Sequence, residues 1–247
     1  PNIEGYAGRL VLADDLQDFE SLFFGGQKPV SLDSAFVNVK LLLNHKKSIR
    51  DEFKDFVADL SYDLGVFQNA FDTLEAEYRD EPAIVQESIL RVITETEGAR
   101  LYDYLTESHI ELHRLVHDLN KTDAQRHGFY FRKQLWNILL QVPIMARTNL
   151  KPRGYAGDSE MMRMLYAQSY EGDTTFSKIL HKHAVDRQAA EAVRNRRDTI
   201  SRWFEDLSDR NEKRMLSVAC GPAQELEEIL RNPGVPERLS VTLFDQD

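Results

Sequence analysis

The sequence feature that most constrains the fold is a strand–turn–helix–strand pattern in residues 215–247. Residues 215–219 form a short uncharged run, which is typical of a central strand buried on both faces of a parallel sheet. Residues 222–230 predict a helix with Pro222 in its first turn, and residues 239–244 predict a second strand. Such a unit is the opening of a nucleotide-cofactor fold.

Small residues shape the turn between the first strand and the helix. Ala219, Gly221 and Ala223 allow the backbone to bend sharply and to approach a ligand closely. Asp245 follows the second strand, where an acid can accept hydrogen bonds from both hydroxyls of a ribose. A dinucleotide fingerprint would need a third glycine, and two glutamates in the first helical turns would repel a diphosphate. The pattern therefore disfavours a dinucleotide, and the alternatives are a strand–helix–strand unit with no cofactor or one for another nucleotide.

The Ala-Cys-Gly-Pro-Ala turn at 219–223 resembles the first motif of class I S-adenosylmethionine-dependent methyltransferases. The match departs from the usual family pattern at Ser217, where an acid is frequent, and at Ala219 and Ala223, where glycine is usual. The resemblance places Asp245 at the family's ribose-binding acid.

Upstream segments resemble a bacterial subfamily of these enzymes, similar to the methyltransferases that make 3-hydroxy fatty acid methyl ester signals (extracellular factor). The segments are 151–158 (Lys-Pro-Arg-Gly-Tyr-Ala-Gly-Asp), 161–166, 192–197 and 217–223. The resemblance covers roughly residues 127–247, and the octamer at 151–158 is its most specific part. It implies the cofactor S-adenosyl-L-methionine and a fatty or hydroxy-acyl carboxylate as the methyl acceptor. A carboxylate is already a nucleophile at neutral pH, so no strong general base is needed.

The octamer predicts a loop, because two glycines and a proline in eight residues exclude a helix. If the loop lies over the cofactor, Arg153 would pair with the methionine carboxylate and Tyr155 would stack or hydrogen-bond near the methyl group. Asp158 precedes a helical segment, so capping that helix is favoured over cofactor contact. The predicted cofactor-binding residues are Ala219, Cys220, Gly221, Pro222, Asp245, Gln246, Arg153 and Tyr155, and no catalytic residue is assigned.

The fold expected is an α-helical N-terminal region, a hairpin or bundle, joined to the start of an α/β Rossmann-like methyltransferase domain that is truncated in this chain. Apolar residues recur at threes and fours over 49–78, on one long helix or on two joined near Gly65. Pro82 ends this pattern, and a second helix over about 83–119 can pack back antiparallel.

The predicted domains are a leader or remnant of a preceding domain, a helical domain that covers the cofactor and acceptor site, and an incomplete strand–helix–strand unit. Their boundaries are 1–33, 34–210 and 211–247. An initial Pro1 and an open two-stranded unit predict that the chain is part of a longer protein.

Three other clusters leave alternatives open. His109, His113 and His117 share a helix face, and a solvated or capping row is favoured over a metal site, so no metal ligand is assigned. The apolar segment 126–150 suits either a wall of the acceptor pocket or core packing. The basic run 194–197 suits a solvated helix face, or a second site near an anionic cofactor tail.

Composition excludes several classes. A net charge of −10 over 247 residues argues against unaided nucleic-acid binding. The single cysteine, Cys220, excludes an internal disulfide, and no apolar run approaches the ~18 residues of a membrane helix. These features predict a cytoplasmic protein, and the long apolar stripe allows a homodimer. The alternative to an enzyme is a non-catalytic, cofactor-sensing or protein-interaction helical module fused to a methyltransferase-like domain.

Overall fold

The computed structural model describes residues 44–206, 213–226 and 239–245. The chain divides into two compact units, with the division between Leu140 and Gln141. Within the described ranges, no helix is both long enough and apolar enough to cross a lipid bilayer. The predicted leader 1–33 lies outside the described residues, and the predicted domain boundary at 210 stays a prediction.

The first unit is helical throughout its described elements. Its helices are α1 (Asp51–Tyr78), α2 (Ala83–Glu95), α3 (Glu97–Val116) and α4 (Lys121–Gln141), the last of which ends at the division. The apolar stripe of α1 is buried, including Phe53, Val57 and Leu60. One core cluster of this unit joins Ile49, Phe53 and Val57 to Leu115 and Tyr130. The stripe is therefore a packing face, as its spacing predicts.

Helices α1 and α3 form the predicted antiparallel hairpin. Asp63 accepts a hydrogen bond from the Tyr104 hydroxyl over 2.7 Å, and Arg50 makes two hydrogen bonds to Asp118, of 2.8 and 3.0 Å. Residues early in α1 thus meet residues late in α3. The hydrogen bond and burial raise the pKa of Tyr104 to about 12, with burial the larger cause.

Two details of the helical region correct or sharpen the expectation. Helix α1 runs without a break through Gly65, so the pattern over 49–78 is one helix rather than two. The single helix predicted over 83–119 is wrong, because the chain breaks between α2 and α3 at Thr96. Thr96 has a φ of −106° and a ψ of −84°, outside the helical region, and it separates the two helices.

The second unit contains four helices and two strands in the part of the chain that the structure describes. They are α5 (Pro143–Leu150), α6 (Ser159–Ala167), α7 (Thr175–Asp186), α8 (Gln188–Asp206), β1 (Lys213–Val218) and β2 (Leu239–Phe244). The four helices pack around one apolar cluster of Val142, Ile144, Met164, Leu165, Val185 and Ala190. Residues 224–226, directly after the turn that follows β1, are helical.

The two strands form a parallel sheet, as the sequence predicts. Their register pairs Lys213 with Leu239 and Val218 with Phe244, so both strands end at the same edge. The prediction that β1 is buried on both faces is wrong, because Leu216 is 66% and Val218 is 64% exposed. The reason is that β1 pairs with β2 alone among the described strands, and the face with Leu216 and Val218 is not covered. The chain is thus mostly helical with a small parallel sheet.

Candidate functional site

The second unit contains a cavity of about 700 Å³ at the carboxyl edge of the strand pair. This volume falls in the range of small-molecule sites. The lining residues come from the octamer loop, α6, α8, the turn after β1 and the end of β2. They are Tyr155, Gly157, Ser159, Met162, Tyr166, Arg196, Arg197, Ile200, Ser217, Val218, Ala219, Cys220, Gly221, Pro222, Glu225, Phe244 and Asp245.

The turn after β1 has an unusual backbone. Ala219, Gly221 and Ala223 have φ angles of +57°, +54° and +47°. This left-handed region favours glycine and costs other residues about 1–2 kcal/mol. The N–H of Ala219 donates to the Phe244 carbonyl over 2.8 Å, which ties the turn to the end of β2. Because two of these three residues are alanines, the turn stores backbone strain.

Asp245 lies against this turn. Its Oδ2 accepts a hydrogen bond from the Gly221 N–H over 2.6 Å, and the residue is partly buried at the cavity wall. This bond holds the carboxylate at the carboxyl edge of the two strands, beside the turn. The free thiol of Cys220 lines the same wall.

The octamer loop contributes one of its two predicted ligand residues directly. Tyr155 lines the cavity, together with Gly157 and Ser159. Arg153 is not among the described lining residues, and its Nη1 donates to the Ser159 hydroxyl over 2.5 Å. Arg153 therefore contacts a residue of the cavity lining, Ser159, and is not itself part of the lining.

Asp158 caps α6, and the favoured interpretation of this residue is confirmed. The fully buried carboxylate accepts hydrogen bonds from the Met161 N–H over 2.9 Å and from Arg147 Nε over 2.6 Å. The Arg147 hydrogen bond is the largest influence on the Asp158 carboxyl and holds its pKa below its usual value. This ion pair fixes the loop between α5 and α6 and thereby positions Tyr155.

The basic run 194–197 does not act as one patch. Arg194 Nη1 donates to the Leu165 carbonyl over 2.9 Å and to the Val185 carbonyl over 2.7 Å, which closes the ends of α6 and α7. Arg197 lies over the Tyr166 ring at 5.5 Å and makes an ion pair with Asp198 at 2.8 Å. Arg196 and Arg197 line the cavity. The run is therefore divided between structural and cavity-lining side chains.

Apolar and aromatic side chains form much of the remaining wall. Val218 and Phe244, paired in register across the two strands, are both more than half exposed and line the cavity. Met162 and Ile200 approach from α6 and α8. An apolar wall beside a few polar groups is typical of sites for small organic ligands.

The sequence identified the polar edge of this site better than its helical wall. Ala219, Cys220, Gly221, Pro222, Asp245 and Tyr155 meet at one cavity, whereas Gln246 lies outside the described residues. Met162, Tyr166 and Ile200 were not predicted, since an apolar residue on a helix gives no signal that separates a cavity wall from a core. Met162 and Tyr166 were present only as parts of the segment 161–166.

The other clusters are not among the residues that line this cavity. Phe129 and Tyr130 are buried in the first unit, and Val142 and Ile144 in the core of the second, so core packing accounts for these four apolar residues of the segment 126–150. The rings of His113 and His117 stack at 6.5 Å on α3. In the described ranges, no group of three or more His, Cys, Asp or Glu side chains is placed to hold a metal ion.

Comparisons with protein-family models, with curated proteins and with solved structures found no match to this chain. The functional argument therefore depends on the site itself. The site offers a tight backbone turn, a carboxylate at a strand end, two guanidinium groups and an apolar wall around one cavity. This set can bind a small molecule that carries hydroxyls, an anionic group and an apolar portion.

Proposed function

We propose that the protein is an S-adenosylmethionine-dependent methyltransferase that O-methylates a carboxylate of a fatty or hydroxy-acyl small molecule. The observation that carries the proposal is the convergence of the β1 turn, Asp245 and Tyr155 at one cavity. The turn and Asp245 were identified from local sequence alone, and Tyr155 lies some sixty residues earlier. Their meeting supports a common ligand.

The charges beside the turn support this cofactor over a phosphorylated one. Glu225 and Asp245 both line the cavity, and Glu225 is a buried residue of the helical segment 224–226. Two carboxylates there would repel a diphosphate. A sulfonium cofactor carries a positive charge near its methyl group and no phosphate, so it is compatible with both acids.

In this proposal Asp245 accepts hydrogen bonds from the ribose hydroxyls, while Gly221 and Cys220 provide close backbone approach to the cofactor. Tyr155 and the apolar pair Val218 and Phe244 exclude water from the reacting atoms. Methyl transfer needs the acceptor oxygen in line with the methyl carbon at about 3–3.5 Å. An ionised carboxylate needs no strong base, so positioning is the main contribution of these residues.

The proposal extends to the fold, location and partners. The β1–β2 pair would be part of a Rossmann-like methyltransferase domain, with the octamer loop, α6 and α8 forming one side of its cofactor and acceptor site. We propose a cytoplasmic protein with no nucleic-acid partner, which its acidic net charge supports. The long stripe of α1 packs within its own unit, so a homodimer would need another surface.

Turnover is the direct test. Full-length protein would be incubated with S-adenosylmethionine labelled on its methyl group and with fatty and 3-hydroxy fatty acids of several chain lengths. Label in base-labile methyl esters is expected with wild-type protein and with Asp186→Asn, which changes an exposed carboxylate remote from the cavity lining. Asp245→Asn should lose most of the turnover.

The same experiment separates the alternative function. If the protein binds S-adenosylmethionine but releases no labelled ester with any acceptor or with a bacterial lipid extract, a cofactor-sensing module is the better description. If it binds no cofactor at millimolar concentration, the enzyme and the cofactor-sensing module are both excluded, and the protein-interaction module remains.

A further inference from the structure

The two guanidinium groups that line the cavity differ in their partners. Arg197 makes two contacts within the protein. Its Nη2 lies 2.8 Å from the Asp198 carboxylate, and its guanidinium lies over the Tyr166 ring. A guanidinium engaged by a carboxylate and an aromatic face has most of its charge compensated. Arg197 therefore shapes the wall through Tyr166.

Arg196 has no such partner. Among the described residues, it makes no hydrogen bond, ion pair or ring contact, although its side chain lines the cavity. The neighbouring cations of this unit are engaged: Arg147 by Asp158 and Arg163 by Glu160 and Glu171. Arg153 and Arg194 donate to Ser159 and to two helix carbonyls.

We propose that Arg196 is the carboxylate-binding residue of this cavity. The inference rests on the proposed function, and it adds the residue that recognises an anionic group of the ligand. Two carboxylates occur in the proposed reaction, that of the cofactor's methionine moiety and that of the acceptor. Either would form a planar, two-point pair with a guanidinium, a geometry that a lysine cannot reproduce.

The charge of the cavity supports a carboxylate rather than a phosphate. Arg196 provides one positive charge that no described residue pairs, and Glu225 and Asp245 provide negative charge on the same lining. One monoanionic group is matched by one guanidinium, whereas a dianionic phosphate would leave excess negative charge beside two acids. The proposed site is thus selective by charge as well as by shape.

The test measures three ligands on Arg196→Gln by calorimetric titration. S-adenosylhomocysteine carries the methionine-type carboxylate, 5′-methylthioadenosine has the same nucleoside and thioether without it, and 3-hydroxydecanoate represents the acceptor. Arg202→Gln is the matched control, because Arg202 is exposed on the same helix, bonds Thr199 and does not line the cavity. Thermal melting verifies that both variants are folded.

The expected result is a loss of affinity of about 10- to 100-fold for one carboxylate ligand in Arg196→Gln, the size of a charged hydrogen-bonded pair. A loss for S-adenosylhomocysteine assigns Arg196 to the cofactor, and a loss for 3-hydroxydecanoate assigns it to the acceptor. In both cases 5′-methylthioadenosine should bind unchanged, and Arg196→Lys should recover only part of the loss.

Unchanged binding of every ligand by Arg196→Gln would overturn the proposal, and so would an equal loss for 5′-methylthioadenosine. Failure of the proposed function is recognisable separately, since wild-type protein would then bind neither nucleoside. In that case, binding of 3-hydroxydecanoate by wild-type protein and its loss in Arg196→Gln would still support a carboxylate site. Absence of all binding would overturn both proposals.

Discussion

The backbone N–H of Gly221 donates a 2.6 Å hydrogen bond to Oδ2 of Asp245. This bond connects the turn after β1 to the first residue after β2, and the Ala219 N–H bond to the Phe244 carbonyl lies beside it. Together they fix the carboxylate at the edge where both parallel strands end. Ligands of open α/β sheets bind at such carboxyl edges.

Gly221→Ala should separate folding from binding. The φ of +54° would cost alanine about 1–2 kcal/mol, but an added Cβ meets no protein atom within 4 Å. The variant should therefore fold, with a modest loss of thermal stability, while its methyl group occupies ligand space at the cavity wall. Titration with S-adenosylhomocysteine should show at least a tenfold weaker affinity than wild type, and wild-type affinity would contradict the role of this turn.

Ala219→Gly should be neutral or stabilising, which is unusual for glycine. At φ +57°, glycine removes about 1–2 kcal/mol of strain, and the greater freedom of the unfolded chain offsets about 0.4–1 kcal/mol of this gain. Ala219→Val should instead destabilise by about 2 kcal/mol, because branched residues avoid this region. Chemical denaturation measures both variants, and destabilisation by glycine would show that the bend is not strained.

Gly65→Ala should stabilise the first unit by about 0.5–1 kcal/mol. Gly65 lies inside the continuous helix α1, and a Cβ there meets nothing within 4 Å. Alanine improves helix propensity without steric cost. Gly172→Ala is the opposite control, because its φ is +143° and its Cβ would lie 2.2 Å from the Ser177 hydroxyl. Denaturation midpoints should move in opposite directions in the two variants.

His181→Leu should reduce the loss of stability in acid. His181 is fully buried on α7, and within the described residues neither ring nitrogen has a hydrogen-bond partner. Burial lowers the pKa of His181 below 6.5, opposed by Glu171 and reinforced by Arg163 and Lys182. A lowered histidine pKa means that the unfolded state binds the proton first, so the free energy of unfolding falls as the pH drops below about 6.5.

The stability difference between His181→Leu and wild type should therefore grow by up to about 1.4 kcal/mol per pH unit between pH 6.5 and the folded-state pKa. At pH 8 the variant should be at least as stable as wild type, since it removes two unsatisfied nitrogens. Urea denaturation at pH 8, 6.5 and 5 measures the difference in the free energy of unfolding. A difference that does not change with pH would mean that His181 has the same pKa in the folded and unfolded states.

The sequence predicted what depends on short-range chemistry. The bend at Ala219, Gly221 and Ala223 follows from small residues at alternate positions, and the cap at Asp158 from an acid before a helical segment. The strand ending at Phe244 was predicted with its observed bounds. In each case the local structure is determined by residues that are close together in the sequence.

What the sequence did not predict depends on packing between distant segments. Arg194, Arg196 and Arg197 are close in sequence but differ in their roles. Arg194 bonds helix carbonyls and Arg197 lies over the Tyr166 ring, whereas Arg196 lines the cavity with no partner among the described residues. Exposure of Leu216 and Val218 depends on how many neighbours the sheet has, which the apolar run does not encode. The boundary between α2 and α3 lies at a single residue, Thr96, whose backbone leaves helical geometry, and the apolar pattern does not encode it.

Calorimetric titration of S-adenosylhomocysteine into wild-type protein and into Asp245→Asn tests the central claim most directly. The account predicts saturable binding to wild type and a loss of about 10- to 100-fold in the variant, because a charged acceptor of the ribose hydroxyls becomes neutral. Arg202→Gln should bind as wild type does. The absence of heat and of a thermal shift with wild-type protein at millimolar ligand, or equal affinity in Asp245→Asn, would contradict the account.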